Sequence, residues 1–167
     1  MSLAGPPGHL TRRFASFLTA RGLDAGEQRW VAARLRDDEV APFWSQPVAD
    51  QRHAHDCARH VAARVADRPD LVRAALLHDI GKRHARLGAI GRSLATVAAA
   101  LRSRGLGIRG PASFDRYTRH GPVGAEELAA TGAERLVVEF TAAHHGPRPA
   151  TIPADEWALL KQADQVT

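Results

Sequence analysis

The sequence predicts an all-α fold organised as a single domain, and three observations predict it. The chain has 167 residues, enough for one hydrophobic core and too few for two comfortable ones. Hydrophobic residues make up 44% of it but aromatics only 5%, so the apolar content rests on Ala, Leu and Val. Ala and Leu cost little in a helix interior. Finally, nearly every apolar segment recurs at helical spacing, and none alternates convincingly as a strand would.

Taken in order, residues 1–8 carry Gly5, Pro6, Pro7 and Gly8 and read as a loose tail. A helix is expected over residues 10–20 on Leu10, Phe14, Phe17 and Leu18, stopping at Gly22. The next starts near Asp24 and carries Trp30, Val31 and Leu35, after which Pro42 and Pro47 punctuate the chain. Over residues 48–66, Ala54, Cys57, Ala58, Val61, Ala62 and Val65 share one face. Arg68-Pro69 ends that helix, and Asp70 can cap a successor running to His78. After a stop at Gly81, helices are expected over 90–101 and 114–119, divided by the glycine-rich stretch 105–111. Another follows Gly121-Pro122 and runs through Ala130. Residues 133–145 are periodic in Leu136, Val137, Phe140 and Ala143 and end at Gly146-Pro147. A last helix covers 155–166, and its position leaves room for the native chain to continue past Thr167.

The net charge of +5 comes from 21 arginines and two lysines set against 18 acids. These cations are scattered, whereas a duplex-binding protein gathers them into a stripe or arm, so nucleic acid is not the expected partner. A small anionic substrate suits the balance, and a homo-oligomer is compatible with it. The single cysteine, Cys57, sits among apolar helical residues and reads as a small buried filler. No stretch approaches the ~20 apolar residues of a membrane span, and no basic start leads into an apolar run. A cytoplasmic protein without a membrane partner is the expectation.

The chemistry concentrates in Leu76-Leu77-His78-Asp79-Ile80-Gly81-Lys82. Two ionisable residues ending an apolar helix are costly to bury unpaired. Imidazole and carboxylate together suit a divalent transition metal. Neighbours on a regular helix diverge by ~100°, so both reach one ion most easily at a helix end, where Gly81 would permit a turn. A carboxylate has two oxygens and can also bridge to a second ion. Histidine recurs at His53, His120, His144 and His145, and Asp164 lies in the last helix, all on or beside expected helices that a bundle could bring together. Nitrogen and oxygen donors without a thiolate cluster describe a catalytic rather than a structural site. The plainer alternative is a histidine stabilising a helix C-terminus. His60 rivals His53, and His55, pointing to another side, is expected to be exposed. His9 and His84 are assigned to the surface, and Arg83, Arg86, Arg92 and Arg148 are expected to be mostly solvated.

The order of His53, then His78-Asp79 in an apolar-apolar-His-Asp-Ile-Gly-Lys frame, then Asp164 after Ala163, resembles the HD superfamily of metal-dependent phosphohydrolases. The segments His120-Gly121-Pro122-Val123-Gly124-Ala125 and His144-His145-Gly146 resemble the extra histidines of its two-metal members. The resemblance covers about residues 50–167 and implies an HD-like helical bundle. It divides the chain into residues 1–45, N-terminal helices and tail packing on or flanking the core, and a hydrolase domain over 46–167. It implies that His53, His78, Asp79 and Asp164 hold one divalent ion. Asp79 would bridge to a second held by His120, His144 and His145, the ions being Fe, Mn, Co, Ni or Mg. The implied reaction is attack by a metal-bound hydroxide on a nucleotide or other small phosphate ester, with Asp79 and Lys82 as catalytic residues. Two alternatives share the ligand set: a di-iron oxygenase, and a non-catalytic module that binds a nucleotide. The glycine-tyrosine-proline signature of the cyclic-di-GMP branch is absent, since His144-His145 runs into Gly146-Pro147-Arg148-Pro149.

Overall fold

A computed structural model describes residues 20–65 and 67–166. The described residues are helical, with no strand among them. The helix expected over residues 10–20, the tail before it and His9 lie outside the described residues.

Helix α1 (Ala25–Ala32) starts where Asp24 accepts from the Gly26 and Glu27 amides while Glu27 accepts from the Asp24 amide, a capping box. Helix α2 (Asp37–Trp44) contradicts the reading of Pro42 as punctuation, because Pro42 sits inside it. An eight-residue helix with three acids in its first turn and Phe43 fully buried tolerates one lost amide. Helix α3 (Val48–Ala62) stops four residues before the expected end. Helix α4 (Pro69–Leu77) begins with proline at its first position, where a missing N–H costs nothing. Asp70 is therefore not its cap: it lies inside the first turn and pairs with Arg68.

The stop expected at Gly81 is instead a 3₁₀ helix (Ile80–Ala85). Helices α5 (Ala89–Ser103), α6 (Ala112–Thr118), α7 (His120–Ala130), α8 (Arg135–Ala143) and α9 (Ala154–Ala163) complete the order. Gly121 and Pro122 do not precede α7, since they belong to its first turn, the one part of a helix that accepts proline.

The core gathers Cys57, Ala58 and Val61 of α3, the apolar face of α4, and Val137, Phe140, Ile152 and Leu160. Leu23, Val31, Leu35 and Phe43 enter the same cluster, so the described N-terminal helices share one core with the rest. Helix α3 packs on α4, α7 on α8, and α9 closes over α3 and α4. The 3₁₀ helix lies against α6 and α7. No described helix is long and apolar enough to cross a membrane.

Candidate metal centre

Helix ends build the site. His78 is the C-cap of α4, His144 that of α8 and Asp164 that of α9. Three helix C-termini, each with partial negative charge, therefore meet at one place, a field that favours a cation. Asp79 opens the 3₁₀ helix and His120 is the first residue of α7. Only His53 comes from mid-helix, on α3.

Close approach of these ends depends on glycine. A Cβ on Gly81 would stand 2.1 Å from the His120 carbonyl oxygen and 2.8 Å from the Gly124 amide. A Cβ on Gly124 would meet the Gly81 amide at 2.9 Å, and one on Gly121 the Thr141 carbonyl oxygen at 2.9 Å. None of the three has a positive φ. The expected role of Gly81 is thus corrected: it serves contact between the 3₁₀ helix and α7, not a turn.

All seven sequence-predicted ligand residues converge. His53 Nε2 lies 3.6 Å from Asp164 Oδ1 and 4.0 Å from Asp79 Oδ2. His78 Nε2 lies 3.3 Å from the same Asp164 oxygen and 3.5 Å from the same Asp79 oxygen. Across the carboxylate, Asp79 Oδ1 faces His120 Nε2 at 3.1 Å and His144 Nε2 at 3.5 Å. His120 Nε2 is in turn 3.2 Å from both His144 Nε2 and His145 Nε2. The two oxygens of one aspartate thus look into two separate cradles.

The histidines are held with the same atom inward. Nδ1 of His78, His120 and His144 bonds the carbonyl three residues earlier, on Ala75 at 2.9 Å, Tyr117 at 2.6 Å and Thr141 at 2.8 Å. The carbonyls of Ala75 and Thr141 lie in the last turns of α4 and α8, beyond the reach of a later helical amide, while that of Tyr117, in the last turn of α6, accepts a cap amide as well as the imidazole. A carbonyl only accepts, so Nδ1 carries the proton and Nε2 keeps its lone pair for the cradle.

His78 and Asp79 are each 1% exposed, yet His78 Nε2 and Asp79 Oδ1 lack a hydrogen bond of acceptable geometry. Buried polar atoms that face one another across 3–4 Å without bonding fit a cation between them. Burial alone would raise the Asp79 carboxyl, but the Lys82 ammonium and His78 outweigh it and hold the group well below the carboxylate range. Asp164 is lowered likewise, burial being overcome first by His53 and His78. For His78, burial opposes the charge, and the two aspartates still raise its pKa. Burial lowers His144 to about 4; partial loss of solvation, then the neighbouring His144 and His120, lowers His145, an exposed residue whose Nε2 turns inward to His120.

Other assignments change. Lys82 is buried with its ammonium on Asp79 Oδ2. His55 is not exposed but buried, its ring edge-on to Trp30. Arg92 is not solvated: it is buried and binds Asp50. Arg83 and His84 both pair with Glu127. Cys57, buried as expected, has Sγ 3.5 Å from His53 Nε2 and could join His53 and His78 around an ion. Burial foremost, then Asp164, Asp79 and Asp56, raises its thiol well above the ordinary range, so Asp164 is the better donor. Sequence reading missed Lys161, which donates to both the His144 carbonyl and Asp164 Oδ2 and so ties the ends of α8 and α9. Its only sequence signal was a position one turn before Asp164.

Residues 52–167 match the HD domain family. The chain belongs to it. HD domains are a superfamily of metal-dependent hydrolases that bind divalent ions, and the His/Asp cluster of this HD domain could hold such an ion. No curated protein and no solved structure matches the chain.

Proposed function

We propose that this HD domain is a binuclear metal-dependent phosphohydrolase acting on a nucleotide or another small phosphate ester. The observation that carries the reading is Asp79, whose Oδ2 faces His53 and His78 beside Asp164 while its Oδ1 faces His120 and His144. His53, His78, Asp164 and Asp79 would hold one divalent ion, and His120, His144, His145 and Asp79 the other. Imidazole-rich donors suit Mn, Fe, Co or Ni better than Mg, which prefers an oxygen cage. Such ions, when bound, acidify a water molecule and stabilise charge developing on a phosphoryl oxygen.

The chain's own groups prepare that chemistry. Nδ1 bonds to last-turn carbonyls fix three rings with Nε2 presented and spare the reorientation that loose side chains would require. Lys82 keeps Asp79 ionised and aims its second oxygen at the histidines of α7 and α8. Burial of the cluster leaves its charges poorly screened, so the two carboxylates would hold cations firmly, and the cations in turn would attract an anionic substrate.

The test is anaerobic purification with metal analysis, then incubation of protein loaded with Mn, Fe, Co, Ni or Mg against a panel of nucleotides and other phosphate esters. Phosphate release with at least one ion is expected. No release with any of them overturns the reading. Oxygen consumption by the reduced iron form would instead assign a di-iron oxygenase, and nucleotide binding without turnover a sensor.

A further inference from the structure

We propose that Arg92 is a positioning residue that joins the two halves of the metal centre through Asp50 and Tyr117. Its consequence for metal binding rests on the binuclear reading above; its consequence for His120 does not.

Arg92 lies on α5, outside every segment that supplies a candidate ligand. It is nonetheless 8% exposed, and its guanidinium binds Asp50 Oδ1 and Oδ2 at 2.6 Å each while Nε donates to the Leu87 carbonyl at 2.9 Å. Asp50 is 5% exposed and lies one turn before His53 on α3. The other side of the guanidinium faces the Tyr117 ring, 5.6 Å from its centroid. Tyr117 is the residue whose carbonyl accepts from His120 Nδ1, and its ring stands 5.9 Å from the His120 ring. One side chain therefore ties the residue that orients His120 to α3, a helix that α4 and α9 hold in place independently.

Chemistry favours arginine for this task. The planar fork matches a carboxylate with two parallel bonds and leaves a flat face for an aromatic ring; an ammonium does neither so well. Burial makes the pair a poor source of stability, because taking both charges out of water offsets their attraction. What the pair supplies is a fixed distance. Helix α6 is short, exposes most of its residues and has none fully buried. It needs an external brace if the Tyr117 carbonyl is to hold a ring to within a few tenths of an ångström.

The test compares the full chain with Arg92→Met and Arg92→Lys. Long-range proton–nitrogen NMR of metal-free protein labelled in histidine reads the tautomer of each ring. The His120 ring should be held as the Nδ1–H form in the wild type and become a mixture in Arg92→Met, with His78 and His144 unchanged. Arg92→Lys, which retains charge and tolerates a folded core, should fall between. Titration with Mn²⁺ should show the first equivalent bound as in wild type and the second weakened about tenfold or more, the usual effect of losing a group that orients a ligand. An unchanged His120 tautomer with an unchanged second equivalent in either folded variant overturns the proposal. So does an equal loss at all three histidines and both equivalents, which would mean general loosening. A wild type that takes up only one equivalent sinks the binuclear reading instead, and the histidine spectrum then decides the role of Arg92 alone.

Discussion

In the proposed centre Asp79 is the one candidate ligand that neither cradle could replace, because its two oxygens face opposite sides and both lie within 4 Å of imidazole nitrogens. Asp79→Ala should lose both ions and nearly all turnover; His78→Ala, which opens one cradle and removes a buried ring, should do the same. Metal content and the rate of phosphate release check both, and retained turnover in either variant would place the centre elsewhere. The clustering of these residues was legible in the sequence because metal chemistry restricts donor types and an apolar helix seldom ends in His-Asp without cause. Their supports were not legible. Lys161, Tyr117 and the Asp50–Arg92 pair act through a backbone carbonyl or a contact 42 residues apart, and no local pattern encodes such a contact. His55 was misjudged for a related reason: its neighbour is Trp30, on another helix.

Elements were legible to the extent that a helix shows its own periodicity. Every helix expected within the described residues is present, while α2 was read as a proline-broken stretch and the 3₁₀ helix as a stop. Both errors have one origin: tertiary packing overrode a local signal, since Phe43 on α2 and Ile80 on the 3₁₀ helix are core residues. The contact between the 3₁₀ helix and α7 gives this scale its prediction. Gly81→Ala would drive a methyl into the His120 carbonyl and the Gly124 amide, and backbone atoms cannot yield as a flexible side chain does. Such overpacking costs about 1–3 kcal/mol or more, and it pushes apart the elements that carry Asp79 and His120. Gly22→Ala, with nothing within 4 Å of the added carbon, should be neutral or slightly stabilising. Thermal unfolding and metal affinity of the two variants measure the difference; a Gly81→Ala protein as stable as the wild type would refute the packing argument.

At the scale of the whole molecule, the site is where α4, α8 and α9 end together, so filling it should stabilise the fold as a unit. At about 100 times Kd a bound ion adds ~2.7 kcal/mol, which for a chain of this size raises Tm by roughly 5–11 °C; chelation should reverse the gain. The metal-free protein should in addition lose stability on acidification, and the sign follows from the histidines. His144 titrates near 6.5 when unfolded and about 4 when folded, with burial as the main cause, and His145 is depressed in the same direction. Between those values the unfolded chain binds protons that the folded chain refuses, so stability rises with pH through this window and falls as pH drops from about 6.5 towards 4. His78 works the other way, but its raised pKa places its effect above 6.5, and the lowered Asp79 and Asp164 act only below their ordinary 3.8. Metal-free Tm should therefore be lower near pH 5 than near pH 6.5, and a His144→Gln/His145→Gln double variant should flatten the dependence. A Tm that holds or rises on acidification would show that the His144 ring is not buried as a neutral group, and with that the presentation of its Nε2 lone pair to a cation would fail.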